Sequence, residues 1–139
     1  MASLDEQLQH YFSQVKKKVP NKAQQQVITK AGADQLRDSY FQATKSKHYR
    51  YGRNTSHVKH LADAVVADDH DVDGYATGSS TVGFEKDPIN HARIALFLNN
   101  GTVHIKGDHF IDTAIQSSKD KVLAAEYAKY KALTGGDPH

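Results

Sequence analysis

Residues 83–114, GFEKDPINHARIALFLNNGTVHIKGDHFIDTA, decide the fold because they predict a helix, a short extended segment and the start of a second helix. Asp87 followed by Pro88 marks the start of the first helix, since aspartate caps well and proline has no N–H group to lose there. Apolar residues then recur at helical spacing and are predicted to share one face of it: Ile89, Ala92 and Leu96.

A sharp turn is predicted where this helix ends. Asn99, Asn100 and Gly101 tolerate the left-handed backbone that terminates helices, and glycine adopts it at the lowest steric cost. Residues 102–105 are then predicted to be extended. A bulky residue at position 101 is therefore expected to misdirect the chain that follows it.

The C-terminal helix is predicted to begin at His109, with Asp108 as its cap, and to continue to about Leu133. Its apolar residues form two stripes that are rotated away from each other. The first stripe is predicted to cover a small sheet: Ile111, Ala114, Ile115, Val122 and Ala125. The second is predicted to meet a neighbouring subunit or an N-terminal helix, since tyrosine combines a large apolar area with a polar group: Leu123, Tyr127 and Tyr130.

Two further helices are predicted near the N-terminus. The first begins at a capping box formed by Ser3 and Glu6 and ends before Pro20. Its apolar residues follow at helical intervals: Leu4, Leu8, Phe12, Val15 and Val19. The second is predicted over about residues 22–44, where Gly32 marks either close packing or a weak point.

Residues 61–67 and 75–84 are predicted to pair as a β-hairpin around the acidic turn ADDHDVDG. The pattern as a whole predicts one α+β domain over residues 1–139, in which a small antiparallel sheet packs against helices and the C-terminal helix is long. The predicted divisions are N-terminal helices in 1–46, a basic loop in 47–60, and the hairpin with the C-terminal helices in 61–134.

Composition narrows the function classes. The chain has 139 residues, no cysteine and a formal net charge of +2, so it has no disulfide framework and too little charge to argue by itself for nucleic-acid binding. No apolar run approaches the ~20 residues that span a bilayer, and the N-terminus lacks the apolar region of a signal peptide. These features favour assembly in a reducing cytoplasm and no association with a membrane.

Two clusters invite a metal site. Residues 69–74, DHDVDG, match the opening of a calcium-binding EF-hand loop, but Ser80 stands where the loop requires a bidentate glutamate. His57 and His60, with Asp63 or Asp69, would make an open zinc site, whereas structural zinc sites have four ligands that often include cysteine. Surface histidines and a solvated acidic turn are therefore predicted, with no metal and no other cofactor.

No motif of a catalytic nucleophile or of a phosphate-binding loop is present, so we predict that the protein is not an enzyme and has no catalytic residues. A different class of function is suggested by the basic and aromatic character of residues 45–53, which is typical of proteins that bind single-stranded nucleic acid. This segment contains Lys45, Lys47, His48, Tyr49, Arg50, Tyr51 and Arg53. A small nucleic-acid-binding module is therefore the alternative prediction.

The helix HARIALFLNNGT, followed by a variable insert and then DHFIDTA, resembles the small neck and tail-completion proteins of long-tailed phages. In that family a helix runs into a Glu-Phe-Gly-Thr-like turn, and a Pro-Phe-like pair with a small residue opens the C-terminal helix. Here Asn100, Gly101 and Thr102 stand at the turn, while Phe110 and Ala114 match the helix opening. The resemblance covers roughly the C-terminal two thirds of the chain.

The resemblance implies a structural virion protein of the head-to-tail connection, assembled in the host cytoplasm and located in the neck or tail. Identical subunits would form a ring through which DNA passes without sequence readout. A hexamer is favoured by analogy with the sixfold symmetry of phage tails, and a dodecamer is the alternative. Its partners would be a connector protein on the head side and a terminator or tube protein on the tail side.

Overall fold

The computed structural model of the chain describes residues 3–49, 52, 59–71, 73–87 and 89–135. Within them the chain forms four α-helices and one antiparallel pair of strands. The helices are α1 Leu4–Lys18, α2 Lys22–His48, α3 His91–Asn100 and α4 Phe110–Thr134, and the strands are β1 Val65–Asp68 and β2 Thr81–Phe84. The predicted α+β class, with a small antiparallel sheet and a long C-terminal helix, is confirmed. Among the described residues, no helix is both long and apolar enough to cross a bilayer.

The long helices α2 and α4 form the framework of the domain. Gly32 of α2 lies against Glu126 of α4, whereas Tyr40 and Phe110 share the core, so the two helices run antiparallel. The core draws on the C-terminal half of α2 and the N-terminal half of α4, over which the strands and α3 pack. It contains Tyr40, Leu61, Val65, Phe84, Ala95, Phe110 and Ala114.

Aromatic rings organise this core. The ring of Phe84 stacks on Tyr40 with centroids 6.0 Å apart and meets Phe110 edge-on at 6.4 Å. Such offset and edge-on pairs are favoured by the charge distribution of the rings. Because Tyr40, Phe84 and Phe110 come from α2, β2 and α4, one cluster fixes three elements relative to each other.

The strands are shorter than the hairpin predicted over residues 61–67 and 75–84. β1 pairs with β2 from Val65 opposite Phe84 to Asp68 opposite Thr81, and a 3-10 turn occupies Ala62–Ala64. The segment before β2 bonds to α2 instead of to a strand, because the hydroxyl of Thr29 donates to the carbonyl oxygen of Gly78 at 2.8 Å. The alternating pattern of this segment therefore reflects side-chain hydrogen bonding to a helix rather than a longer ladder.

Helix α2 continues to His48, so the predicted boundary between the N-terminal helices and a basic loop at residue 47 is wrong. The added turn has tertiary support: His48 meets the ring of Phe110 edge-on at 4.7 Å, and its Nε2 lies 2.8 Å from Oδ2 of Asp108. Arg50, Tyr51 and residues 53–58 of the predicted loop lie outside the described residues.

Helix α3 begins later than the predicted Asp87-Pro88 start, of which Pro88 lies outside the described residues. Its N-cap is Asn90, whose side chain accepts a hydrogen bond from the N–H of Arg93 at 3.0 Å. Glu85 supplies a second acceptor, since its carbonyl oxygen accepts from the N–H of His91 at 2.9 Å. An asparagine cap thus replaces the aspartate that the sequence pattern favours.

The buried face of α3 is mostly polar. His91, Ala95 and Asn99 are buried, whereas Leu96 is 53% exposed. The imidazole of His91 lies between two carbonyl oxygens, 3.1 Å from that of Ile89 and 3.3 Å from that of Lys59. Polar residues occupy this face because their hydrogen bonds are made inside the protein, which hydrophobic periodicity does not detect.

The side chain of Asn99 caps α4 from the end of α3. Its Oδ1 accepts from the N–H groups of Ile111 at 2.9 Å and Asp112 at 3.3 Å, and its Nδ2 donates to the Asp112 carboxylate at 3.1 Å. The first N–H groups of a helix have no partner within the helix, so a remote amide satisfies them here. The predicted cap, Asp108, accepts from the N–H of Phe110 at 3.2 Å, and α4 begins one residue after the predicted His109.

Two glycines let the chain cross itself between α3 and α4. Gly101 has φ 88°, and a Cβ atom there would lie 2.6 Å from the nitrogen of Gly107. The residues between them form a tight loop rather than the extended segment predicted for 102–105, because Thr102 Oγ1 accepts from the N–H groups of His104 and Ile105. Gly101 and Lys106 pair across the base of the loop.

We expect Asn99→Ala to lower the free energy of unfolding by about 2 kcal/mol, because α4 loses its cap and buried N–H groups lose their acceptor. Asn100→Ala is the matched control, since Asn100 is exposed and accepts one hydrogen bond from Asn99. Urea denaturation followed by circular dichroism measures both variants. Equal urea midpoints for Asn99→Ala and Asn100→Ala would show that α4 does not need the Asn99 cap.

Gly101→Val is expected to give insoluble protein or a much lower melting temperature. Backbone strain at a positive φ costs about 1–3 kcal/mol, and the overlap with Gly107 adds to it. Gly83→Ala is the control, because an added Cβ atom there meets nothing within 4 Å. Soluble yield and thermal unfolding are the measurements. A wild-type yield and melting temperature for Gly101→Val would show that the fold does not need glycine at the crossing.

Candidate subunit interface

An apolar groove, here called the α2/α4 groove, lies between the N-terminal half of α2 and the C-terminal half of α4. Its lining combines residues from the segment that enters α2 and from the two helices: Pro20, Gln25, Ile28, Thr29, Leu123, Glu126, Tyr127 and Tyr130. The groove lies at the opposite end of the helix pair from the aromatic core. Nothing among the described residues fills it.

The second stripe predicted on the C-terminal helix forms one wall of this groove. Leu123 is 56% exposed and Tyr127 is 49% exposed, so both keep apolar surface in contact with water. Tyr130 is half-buried, and its hydroxyl donates to the carbonyl oxygen of Lys18 at 2.9 Å. The structure thus brings the three predicted residues together, and Tyr130 additionally binds the end of α1 in the same chain.

Among the described residues that line the groove, Glu126 is the one carboxylate. It packs so closely on α2 that its Cγ atom would lie 2.8 Å from a Cβ atom at position 32, so a larger residue there would require the Glu126 side chain to move. The close-packing interpretation of Gly32 is therefore correct. Burial raises the pKa of the Glu126 carboxyl above its ordinary value. The sequence does not predict that Glu126 is partly buried in the groove, since an isolated glutamate on a helix is normally solvated.

Helix α1 carries the second open apolar surface. No residue of α1, all of which the structure describes, is buried. Ser3 caps it as predicted, accepting from the N–H of Glu6 at 3.2 Å. Its large apolar side chains all face solvent, together with the residue that follows the helix: Leu4, Leu8, Tyr11, Phe12, Val15 and Val19. The sequence predicts this apolar face but not that it is open.

The connection between α1 and α2 is held by local hydrogen bonds. Asn21 and Gln24 form a capping box, in which each side chain accepts from the other residue's N–H at 2.8 and 2.9 Å. The amide of Gln25 donates to the carbonyl oxygen of Pro20 at 3.1 Å. With the bond from Tyr130 to the end of α1, these contacts fix the direction in which α1 leaves the domain.

The acidic turn is organised by its own carboxylates. Oδ1 of Asp71 accepts from the N–H groups of Asp73 at 3.0 Å and Tyr75 at 2.9 Å. Nδ1 of His70 lies 2.9 Å from Oδ1 of Asp68, and this hydrogen bond raises the pKa of His70 and lowers that of Asp68. Within the described ranges no three potential ligands converge on a metal position, and His57, which was weighed above as a zinc ligand, lies outside them.

Two described members of the basic segment pack on their own chain. Tyr49 stacks on His60 with ring centroids 3.9 Å apart. The ammonium group of Lys45 lies 5.6 Å from the ring centre of Tyr49 and 5.7 Å from that of Phe41. These contacts occupy one face of the Tyr49 ring, on which a base would otherwise stack.

Among the described residues, the face of α1 and the α2/α4 groove are therefore both open apolar surfaces, and apolar side chains of α3 are exposed as well: Ile94, Leu96 and Phe97. No protein-family model, curated protein or solved structure matches the chain. The resemblance to neck and tail-completion proteins accordingly stays a prediction, and these two surfaces are the starting point for the function.

Glu126→Gln is expected to be more stable than the wild type at pH 7. Burial favours the protonated carboxyl in the folded state, so the pKa of Glu126 is higher folded than unfolded, and stability falls as the pH rises through the folded value. The difference between variant and wild type should therefore shrink toward acidic pH.

Asp120→Asn is the control for this measurement, because Asp120 is an exposed carboxylate on the same helix. Thermal unfolding from pH 4 to pH 8 at low protein concentration compares the three proteins. A stability difference that is independent of pH would contradict the assignment.

Proposed function

We propose that this protein is a structural component of the head-to-tail connection of a tailed phage, which assembles as a ring of identical subunits around the DNA channel. The observation that carries the proposal is the open wall of Leu123 and Tyr127 on α4. Large apolar side chains exposed side by side on a small domain mark a protein contact. In a ring, such a surface meets a different surface of the next subunit, and the rotation closes on itself.

The resemblance in the sequence supports the place of this ring in the virion. The residues that carry it, from Asn100 to Thr102 at the turn and Phe110 with Ala114 at the start of α4, lie at the joint between α3 and α4. Phe110 and Ala114 are buried in the core, and Asn99 closes the joint by capping α4. A rigid joint suits a subunit that is stacked between a head-side connector and a tail-side terminator or tube protein.

Assembly, rather than chemistry, is then the mechanism. Lateral contacts through the α2/α4 groove join the subunits, while the two rims of the ring dock onto the head-side and tail-side partners. DNA passes through the lumen without sequence readout. Six copies match the symmetry of phage tails, and twelve copies are the alternative.

Leu123→Ser with Tyr127→Ser is expected to convert the ring into single chains of 15.4 kDa. Both side chains are about half exposed in the single chain, so its free energy of unfolding should change by only about 0.5 kcal/mol. Tyr130 is kept, because it bonds to Lys18. Light scattering coupled to size exclusion gives the mass, and negative-stain electron microscopy gives the number of subunits in the ring.

Lys121→Ser with Ala124→Ser is the matched control, since both residues are exposed on a different face of α4 from Leu123. A ring that persists in the Leu123 and Tyr127 variant would show that the groove is not the contact. A wild-type chain that remains single at high concentration would contradict self-assembly.

The nucleic-acid alternative is tested on the same preparation. If the basic segment binds single strands, a labelled oligonucleotide should gain fluorescence anisotropy with the single chain, and binding should weaken steeply with salt. Lys45→Ala with Lys47→Ala would then abolish binding. We expect no salt-sensitive binding by the single chain.

A further inference from the structure

We propose that the α2/α4 groove of each subunit receives helix α1 of a second copy of the chain, so that neighbouring subunits exchange N-terminal arms. This inference deepens the proposed function and rests on it for the closure of the exchange into a ring. The exchange itself joins two surfaces that are both open in the single chain, the apolar face of α1 and the groove wall.

Helix α1 needs a partner surface. A helix of this length is marginal in water on its own, because most helix stability in proteins comes from packing an apolar face. Phe12 is 61% exposed and Leu8 is 43% exposed, so this packing is missing within the single chain. The well-made cap at Ser3 supports the helix but buries none of its apolar surface.

The spacing of α1 fits the groove. Leu8, Phe12 and Val15 stand at positions i, i+4 and i+7, which is the anchor pattern of an amphipathic helix bound in a groove. They span about 10 Å along the axis, and the wall from Leu123 to Tyr130 spans the same length. Two turns of α1 therefore cover the open wall.

The geometry of the connection favours a second copy over the chain's own arm. Helix α1 leaves the domain beside Pro20 and Tyr130, at the end of the groove. In this structure Val19 and Asn21 have extended backbones, Tyr130 binds the carbonyl oxygen of Lys18, and Asn21 caps α2, so that the apolar face of α1 stays exposed outside the chain's own groove. An arm from a neighbour enters without disturbing these bonds, and each chain supplies one arm and one groove.

Charge sets the direction of the incoming helix. Glu126 is the carboxylate of the groove lining and is half-buried. The last turn of α1 carries Lys16, Lys17 and Lys18. The incoming helix lies with its lysine end toward Leu123, beside Lys119, Asp120 and Lys121, because the reverse direction would place the lysines against Lys129 and Lys131 with no carboxylate between them.

Cysteine cross-linking tests the exchange, because the chain has no cysteine of its own. A Gln14→Cys chain is mixed with a size-tagged Lys119→Cys chain, and a short bis-maleimide is added. In the proposed direction position 14 of one chain lies near position 119 of the other. Within one chain the end of α1 lies beside Leu133, about 20 Å along α4 from position 119. We expect a cross-linked heterodimer on a denaturing gel.

Phe12→Ser in the Gln14→Cys chain is the test of the anchor, and Gln9→Ser, on the polar side of α1, is its control. Loss of a central aromatic anchor is expected to lower the heterodimer yield about tenfold or more. Phe12 is exposed in the single chain, so the variant keeps its fold. An unchanged yield, or no heterodimer, overturns the exchange.

A chain that carries Gln7→Cys and Lys119→Cys tests the chain's own arm as occupant, because an arm that folds back from Lys18 beside Tyr130 places position 7 near position 119. If it cross-links only within itself, the arm folds back and the exchange is wrong. The mass measurement separates the two proposals: a heterodimer cross-link in a two-copy particle supports the exchange and contradicts the ring. Closed rings that form without the cross-link support the proposed function and contradict the exchange.

Discussion

The amide of Asn99 is the contact on which the arrangement of the domain depends. It stands in the last turn of α3, is 4% exposed, and satisfies the first N–H groups of α4. Because α4 is the longer of the two helices and forms half of the framework with α2, its direction determines where the groove lies. A short helix thus sets the direction of a long one through a single side chain. The glycine crossing at Gly101 and Gly107 allows the two helix ends to come this close.

Two buried hydroxyl groups lie in the framework helices α2 and α4. Thr44 is fully buried, and its hydroxyl donates to the carbonyl oxygen of Tyr40 at 2.6 Å. Ser118 is equally buried and donates within its own helix. Both hydroxyls are satisfied locally, so α2 and α4 can place small polar residues between them without an unpaired group. Large apolar side chains remain exposed on α1, on the groove wall and on α3, where Leu96 is 53% exposed.

The sequence predicts where the helices begin and end better than it predicts which of their residues are buried. The start of α1 at Ser3 and the bounds of α4 are obtained to within one residue, because capping residues and apolar spacing agree there. The buried polar residues of α3 are not predicted, since Asn99 and His91 make hydrogen bonds to distant backbone groups that periodicity does not encode. The groove wall of Leu123, Tyr127 and Tyr130 is found because a second stripe exceeds what a small sheet can cover. Glu126 is not found, because its burial depends on a glycine 94 positions earlier in the chain.

The crossing at Gly101 also sets an exposed loop apart from the helices that form the framework. The chain leaves and re-enters at a single point, where Gly101 pairs with Lys106, and the loop between them is exposed, with Val103 at 95%. Closing a longer loop across fixed ends costs little, since the entropy of closure grows only slowly with length. This loop is therefore a natural insertion point for an epitope or a fluorescent label. A labelled chain of this kind would keep both helix ends in register and would make the subunit visible within a larger particle.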